Sequence, residues 1–390
     1  MTIDISIKEC YTYIYYKLKG YKMRQTIKLA VSLSLLLGVS SAFATEGFSP
    51  IAYGAKARGM GGVGIATVHG AESSFSNPAL ISYLDKNEVS LGLTYLSSNG
   101  TFKSSGDNSD LDIESDATYL PYMAFNYKIM DSMSMGILIA NENSLNSTVE
   151  ADFGDLLLTK ISKSSIQIPL AYNIADFSVA ISPIIETQSF SAFNASSVNS
   201  NAFGVDFGLA YNIKAINLML ALNYQSKIIH KYALNNGSDF TSVLNTPSEF
   251  GLGASWNIQG SGNTIGLDYK LVNASEIAVI GDYPWKLNDL NVIALGYQYQ
   301  ADSWAIRAGY RYISDLDDAG KSAFLALFLP YDTTSHFTVG GSYTFTDTLS
   351  GDLALVYASK DKSYQETDDS PAFSVENDQT SITIGLNYQF

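Results

Sequence analysis

From about Glu88 to the C-terminus the dominant hydrophobic period is two, the repeat of a strand with one apolar face. In INLMLALNYQSK, Ile216, Leu218, Leu220, Leu222 and Tyr224 alternate with Asn217, Met219, Ala221, Asn223 and Gln225. EFGLGASWNI sets Phe250, Leu252, Ala254, Trp256 and Ile258 against Gly251, Gly253, Ser255 and Asn257, and HFTVGGSYTF and SITIGLNYQF repeat the pattern. Fourteen such segments start near residues 87, 117, 132, 164, 176, 201, 216, 248, 263, 290, 303, 335, 348 and 380. Their connections alternate in length. Short turns fall around Asp131, Ala175, Lys214, Gly260, Asp302 and Asp347; long polar loops fall near 99–116, 146–163, 190–200, 231–247, 273–289, 315–333 and 361–378. A soluble sandwich also alternates. An even strand number with strictly alternating connections predicts instead an up-and-down barrel with both chain ends on the short-turn side. Lipid offers no partner to a free backbone amide, so such a sheet must close. The expected fold is all-β, a transmembrane antiparallel up-and-down β-barrel of 14 strands over residues 87–390.

Residues 45–86 break the alternation. RGMGGVGIA spells G-x-G-x-x-G through Gly59, Gly61 and Gly64, and SSFSNPALISYL follows. The glycine spacing is a dinucleotide fingerprint only when a strand precedes it and a βαβ unit follows. Neither is present. The segment is too short for its own core and is expected to sit in the barrel lumen. Further upstream, Met23–Ala44 carries Arg24 and Lys28, an apolar run from Leu29 to Val39 and a closing Ala42-Phe43-Ala44. That is the pattern of a secretory signal peptide. Residues 1–44 are therefore expected to be removed, with the natural start at Met23.

Charge narrows the partners. Of the 23 Lys/Arg and 38 Asp/Glu, six and two lie in residues 1–44; the remainder carries 17 against 36, a net charge of −19. Such acidity argues against nucleic acid, whose phosphates need Lys and Arg. Cys10, the only cysteine, also falls in the removed segment, which leaves no disulfide and no cysteine metal site. The 26 Tyr and 19 Phe suit strands and the aromatic girdles of outer-membrane barrels.

Three stretches resemble one family. GAKARGMGGVGIATVHGAESSFSNPALI, with Asn77-Pro78-Ala79, resembles the N-terminal hatch of the FadL-type outer-membrane transport proteins (OMPP1/FadL/TodX). LNTPSEFGLGASW with IGLDYKLVNAS is similar to that family's central Thr-Pro strand pair, and PWKLNDLNVIALGYQYQADSWAIRAGYRY with LPYDTTSHFTVGGSYTF to its C-terminal strands. The terminal Phe390, with Tyr388 before it, resembles the signature read by the barrel-assembly machinery. The resemblance implies a barrel plugged by a hatch, here residues 45–86. It implies passive uptake of hydrophobic molecules, such as long-chain fatty acids, hydrocarbons or aromatics, across the outer membrane of a Gram-negative bacterium. It also implies a kinked third strand that opens the wall sideways. Asn141, Glu142 and Asn143 interrupt the third segment; they are a candidate kink or the start of the second long loop.

Candidate transport chemistry follows. Gly59, Gly61, Gly62 and Gly64 are the expected deformable part of the gate, and Asn77, Pro78 and Ala79 its fixed end, because glycine allows close contact and soft dihedrals while proline fixes φ. Arg307 and Arg311 oppose Trp304, Ile306, Tyr310 and Tyr312, so they face the lumen if the aromatics face lipid. There they would meet a substrate carboxylate or lumen acids such as Asp268 or Asp352. Lys56 and Arg58 are further anchors. AFLALFLPY, with Phe324, Leu325, Leu327 and Phe328, is a capture patch in a polar loop, and FGDLLLTKI at Phe153–Ile161 a second. His69, His230 and His336 form no catalytic motif, and DLDDAG at 315–320 lacks the terminal Glu of a calcium loop. The chain is expected to be no enzyme, to bind no cofactor or metal, and to work as a monomer amid lipid and lipopolysaccharide. Two other readings stay open: a non-transporting barrel acting as scaffold or shuttle for secreted proteins, and a general porin.

Overall fold

Alternation along each strand becomes alternation across a wall. The computed structural model describes residues 50–104, 110–115, 117–149, 156–192, 197–233, 239–241, 245–277, 287–316, 333–364 and 373–390. The signal-like stretch Met23–Ala44 and the patch Phe324, Leu325, Leu327 and Phe328 lie outside these residues.

Fourteen antiparallel strands follow one another around a closed sheet. They are β1 Glu88–Ser104, β2 in two pieces, Asp110–Ser115 and Thr118–Met130, β3 Met133–Val149, and β4 in two pieces, Leu156–Gln167 and Leu170–Ile174. Then come β5 Phe177–Ala192, β6 Val198–Ile213, β7 Leu218–Gln225, β8 Glu249–Ile258 and β9 Asn263–Val272. The circuit ends with β10 Leu290–Gln300, β11 Trp304–Ile313, β12 Ser335–Thr346, β13 Leu349–Tyr364 and β14 Phe373–Gln389. Closure runs from Glu88↔Gln389 to Ser104↔Phe373, so β14 covers β1 along its whole length and neither edge is left open. A small hairpin, Lys231–Ala233 with Asp239–Thr241, lies in the connection between β7 and β8.

The two broken strands have separate causes. In β4 the break is at Pro169, which has no N–H for the ladder. Its carbonyl still accepts from Gly136 N–H at 2.8 Å, and a Cβ on Gly136 would come within 2.9 Å of the proline ring. The break in β2 belongs to the candidate site. Several expected loops are shorter than the sequence implied. The strands flanking 99–116, 146–163 and 361–378 run on to Ser104, Val149 and Tyr364 and resume at Asp110, Leu156 and Phe373. Residues 156–161 of the FGDLLLTKI patch are part of β4 rather than loop. Beyond the lipid both faces of a hairpin meet water, so the ladder continues although the hydrophobic alternation that would reveal it stops.

The core is inverted relative to a soluble protein. Leu252, Leu267, Ile293, Leu295, Ile306, Phe337, Val339, Leu353, Ile384 and Leu386 are exposed, while Asp206, Asp268, Arg307, Arg311, His336, Thr338 and Asp352 are buried. An apolar outer face around a polar interior is stable only with lipid outside. Among the described residues no helix is long and apolar enough to cross a membrane. Leu295 sits near the middle of β10 on that face. Leu295→Arg should lower folding free energy into lipid vesicles by about 2–4 kcal/mol. No change in refolding titrations would contradict the assigned lipid face.

Candidate functional site

Residues 50–87 precede β1 and fill the lumen. They form a short helix, α1 (Ala55–Gly59), and two 3-10 turns, Ala71–Phe75 and Pro78–Tyr83. The helix meets β11 to β14, the first turn meets β1 to β3, and the second meets β3 to β6. The run Met60–Ala66 between them lies on β8 to β11. The hatch thus touches wall around most of the circuit.

Small residues make that contact. Gly208, Gly253, Gly266, Gly296, Gly309 and Gly340 all sit where a Cβ would strike the hatch. At Gly309 it would come 2.1 Å from the Gly61 nitrogen, and at Gly296 2.5 Å from the Met60 carbonyl oxygen. Alanines complete the seat. Ala210 and Ala221 meet Ile65 and Leu80, Ala294 meets Met60 and Val63, and Ala171 meets Ile81. On the hatch side Gly59 lies against the Gly340 backbone, and Gly61 (φ 71°) and Gly62 (φ 80°) are in the left-handed region, which disfavours a side chain.

Polar groups pin this run. Asp268 Oδ2 accepts from the N–H of Gly64 at 2.7 Å and of Ile65 at 2.9 Å. Thr338 Oγ1 accepts from Gly61 N–H at 2.8 Å and donates to Gly59 O at 3.0 Å. Arg58, 1% exposed, donates to Ala52 O and to Ser381 Oγ. Lys56 Nζ donates to His69 O at 2.8 Å and lies 3.8 Å from both Glu72 and Asp352. Burial lifts the Glu72 carboxyl to about 7 against the pull of Lys56. Burial pushes His69 down to about 3, so its ring is neutral and Nε2 donates to Val63 O at 2.7 Å. Asn77 closes the other end. Its Nδ2 donates to Ile65 O at 2.9 Å and to Leu209 O and Leu222 O at 3.3 Å, while Oδ1 accepts from Ala79 N–H, capping the turn that Pro78 begins. Asn77→Ala should loosen this end by about 1–3 kcal/mol. Hydrogen exchange at Ala79 and Leu80 should then quicken by at least about fivefold; unchanged protection there would refute the role.

The two strand arginines have partners in the protein. Arg307 donates to Gln298 Oε1 at 2.6 Å and to Ser342 Oγ at 2.5 Å, and Ser342 in turn donates to Asp352. Arg311 Nη1 donates to Gly61 O at 3.5 Å. Asp352 therefore sits behind Arg307 through a serine, whereas Asp268 is engaged with the hatch backbone.

A cavity of about 70 Å³ lies against the hatch. Ile51, Ala52, Tyr53, Ile65 and Phe75 give it an apolar side; Glu142, Gln167, Asp206, Asn223, Glu249, Asp268, Lys270 and Arg311 give it a polar side. Glu142 and Glu249 are paired, with Lys163 and Lys270, at 3.0 and 3.1 Å. Lys163 also lies 3.9 Å from Glu186, which accepts from Thr246 and pairs with the buried His230. The connection between β7 and β8 is thereby tied to the wall.

Beside this cavity the wall has a seam. β2 and β3 pair at Ile113–Ser115 with Ser147–Val149 and again from Tyr122↔Ala140 downward. Among the described residues between them, none of 117–121 pairs with any of 141–146, although each edge stays bonded to its outer neighbour. Each edge also carries one residue too many. From Leu96↔Thr118 to Asn99↔Glu114, β1 advances three residues and β2 four. From Asn141↔Ser164 to Asn143↔Lys163, β3 advances two and β4 one, which leaves Glu142 as a bulge. Along the gap both edges are longer than their neighbours and bow apart; just above it, between Ser147↔Thr159 and Thr148↔Leu157, β4 regains the residue. Pro121, with no N–H, stands at the rim.

No protein-family model matches the chain. It is 35% identical over 106 residues to a Chlorobium limicola protein described as an uncharacterized protein in the phosphoenolpyruvate carboxykinase gene 5'region. That match takes in 27% of this chain and 50% of the other, so the chain spans about half the length of the curated relative it matches. Solved structures align over far more. A Pseudomonas aeruginosa FadL homologue superposes with TM-score 0.70 at 15% identity, over 88% of this chain and 99% of that one. The P. putida toluene transporter TodX gives 0.67 at 15% over 87% and 99%, and the Ralstonia pickettii toluene transporter TbuX 0.64 at 17% over 87% and 98%. Identity this low establishes architecture, and the architecture is specific: the chain has the FadL-type fold, fourteen antiparallel strands closed around an N-terminal hatch.

Proposed function

We propose that the protein is an outer-membrane channel for passive uptake of hydrophobic molecules, admitted past the hatch and released sideways into the bilayer. The observation that carries this reading is the position of Glu142, which lines the cavity and is also the bulge of the open seam. A path from the cavity to lipid then needs no passage through the polar short-turn end. Tyr53 and Phe75 stack with ring centroids 4.1 Å apart, and Phe75 meets Tyr122 edge-on at 6.4 Å, giving an apolar flank toward the seam's lower limit. Structurally similar proteins named as toluene transporters support the same class of cargo. In this reading Gly59–Gly64 lifts from its glycine seat and Asn77-Pro78-Ala79 stays fixed.

Uptake of hexadecanoate, hexadecane and toluene should be compared in cells with and without the protein. Faster entry of at least one class supports the channel; entry of small sugars alone would make it a porin, and entry of neither a scaffold or shuttle. Ser82 and Ser178 hydroxyls lie 2.8 Å apart. A disulfide from Ser82→Cys with Ser178→Cys should lock the fixed end and leave uptake intact. Loss of uptake with this lock formed would move the gate to the Asn-Pro-Ala end.

A further inference from the structure

The polar side of the cavity has an excess of one kind of hydrogen-bonding atom. Gln167 Oε1, Asp206 Oδ1, Asn223 Oδ1 and Asp268 Oδ1 have no hydrogen-bond partner among the described residues. Their residues are 4%, 2%, 7% and 4% exposed, and all four line the cavity. Every one of these atoms is an acceptor. The two amides can turn to offer a donor instead, but an ionised carboxylate offers acceptors only. Register places three of them close together. Asp206 lies opposite Gln225, Asn223 opposite Gly251 and Asp268 opposite Gly253, on neighbouring lumen-facing rows of β6 to β9. A Cβ on Gly251 would come 2.1 Å from Asn223 Oδ1, and one on Gly253 2.7 Å from Asp268 Oδ1. Glycine at both positions keeps these oxygens uncovered.

The surrounding charges have the same bias. Glu142 and Glu249 are neutralised by Lys163 and Lys270. Arg311, on the same polar side of the cavity, donates to Gly61 O and is a further cation set beside them. Asp206 and Asp268 remain, and neither has a cation within ion-pair distance among the described residues. A carboxylate placed here would face Asp206 and Asp268 against the single guanidinium of Arg311, whereas a buried acceptor gains most from a donor that is itself charged.

We propose that this cavity takes the polar end of an amphiphile that donates hydrogen bonds, a primary amine or an alcohol, and disfavours a carboxylate. The proposal rests on the channel reading above and names its substrate class. A volume of about 70 Å³ holds a headgroup of a few heavy atoms and not a long chain. The chain lies along Tyr53 and Phe75 toward the seam at Glu142. Amine and alcohol share the donor chemistry and differ in charge, so Asp206 separates them: an ammonium gains from its negative charge, a hydroxyl from its lone pairs alone.

The test uses the full-length protein in lipid nanodiscs and four probes of equal chain length: 1-octylamine, 1-octanol, octanoate and octane. Binding is read by calorimetry against empty nanodiscs of the same lipid. Octylamine or octanol should bind at least about tenfold tighter than octanoate and octane. Asp206→Asn should lower octylamine affinity about tenfold and leave octanol within about threefold. Asn223→Leu, which removes an acceptor without touching charge, should weaken both. Heat-modifiable migration on gels confirms that each variant is folded. Octanoate binding as tightly as octylamine would overturn the proposal. So would equal affinity for all four probes, which would mean that the acceptors hold water only. Uptake of octane and toluene by cells separates the two levels. If these enter but binding shows no headgroup preference, the channel reading stands and the donor preference falls. If neither enters nor binds, both fall.

Discussion

Gly309→Val should unseat the hatch and open the barrel to polar solutes. The first carbon of any side chain at this position would lie 2.1 Å from the Gly61 nitrogen and 2.2 Å from the Met60 carbonyl carbon. Both are backbone atoms, so no rotamer change relieves the clash, and carbon contacts need about 3.5–4.0 Å. The wall at this point is held by ladders to β10 and β12 on both sides. The hatch is held there by hydrogen bonds with the side chains of Thr338, Asp268 and Arg311 rather than by a ladder, so the hatch is the part that yields. Overpacking of this kind costs about 1–3 kcal/mol where neighbours can adjust, and here they cannot. Entry of a small sugar into liposomes carrying the variant should rise at least about tenfold, and protease should begin to cut within residues 50–66. Gly341→Val is the control: its Cβ would meet nothing closer than 3.6 Å, and permeability should stay at the parent level. Gly296→Ala, 2.5 Å from Met60 O, is a milder second variant should valine prevent assembly. A barrel that folds with Gly309→Val and stays closed would refute the glycine seat.

Those glycines also show where the sequence was readable. Period two marked the lipid face strand by strand, because every second residue meets hydrocarbon and has to be apolar. The six short turns were equally plain, since a tight turn leaves room for little but polar residues and glycine. Loop lengths were overestimated for the opposite reason: a strand with water on both faces carries no alternation, so Asp110–Ser115 and Phe373–Asp378 read as loop. The lumen face is harder to decode. Gly253, Gly266, Gly296 and Gly309 are visible as small residues between large ones, yet what they touch is a segment about two hundred residues away in sequence. Arg307 and Arg311 could be assigned to the lumen from lipid cost alone. Their partners could not: the expected link of Asp352 to an arginine runs through Ser342, and Asp268 holds the hatch backbone instead. The interruption at Asn141–Asn143 was visible as a break in pattern. That it is matched by an extra residue in β2 is a fact of register, which no single strand carries.

Closing the seam between β2 and β3 should abolish uptake of hydrophobic molecules while sparing the barrel. The seam is open because along the gap each edge has one residue more than the strand outside it, an excess that β4 regains only above the gap, and because Pro121 brings no donor there. Removing one residue from one edge alone would shift β2 against β3 and turn side chains to the wrong face. Removing Ala117 and Glu142 together, with Pro121→Val, shortens both edges equally and restores the missing donor. The pair register, Ile113↔Val149 above and Tyr122↔Ala140 below, is then continuous. The same choice removes one carboxylate without stranding its partner. Lys163 loses Glu142 but keeps Glu186 at 3.9 Å. Lys163→Met, by contrast, would leave two buried carboxylates facing each other and cost about 3–5 kcal/mol. The closed variant should be at least as stable as the parent, because amides along both edges gain partners that lipid cannot supply. Uptake of the probe that the parent admits should fall at least about tenfold, with hydrogen exchange along 118–121 and the remaining residues of 141–146 slowed to the level of the neighbouring strands. If that protection appears and uptake is undiminished, cargo does not leave through this wall, and release must instead run past the hatch to the short-turn end.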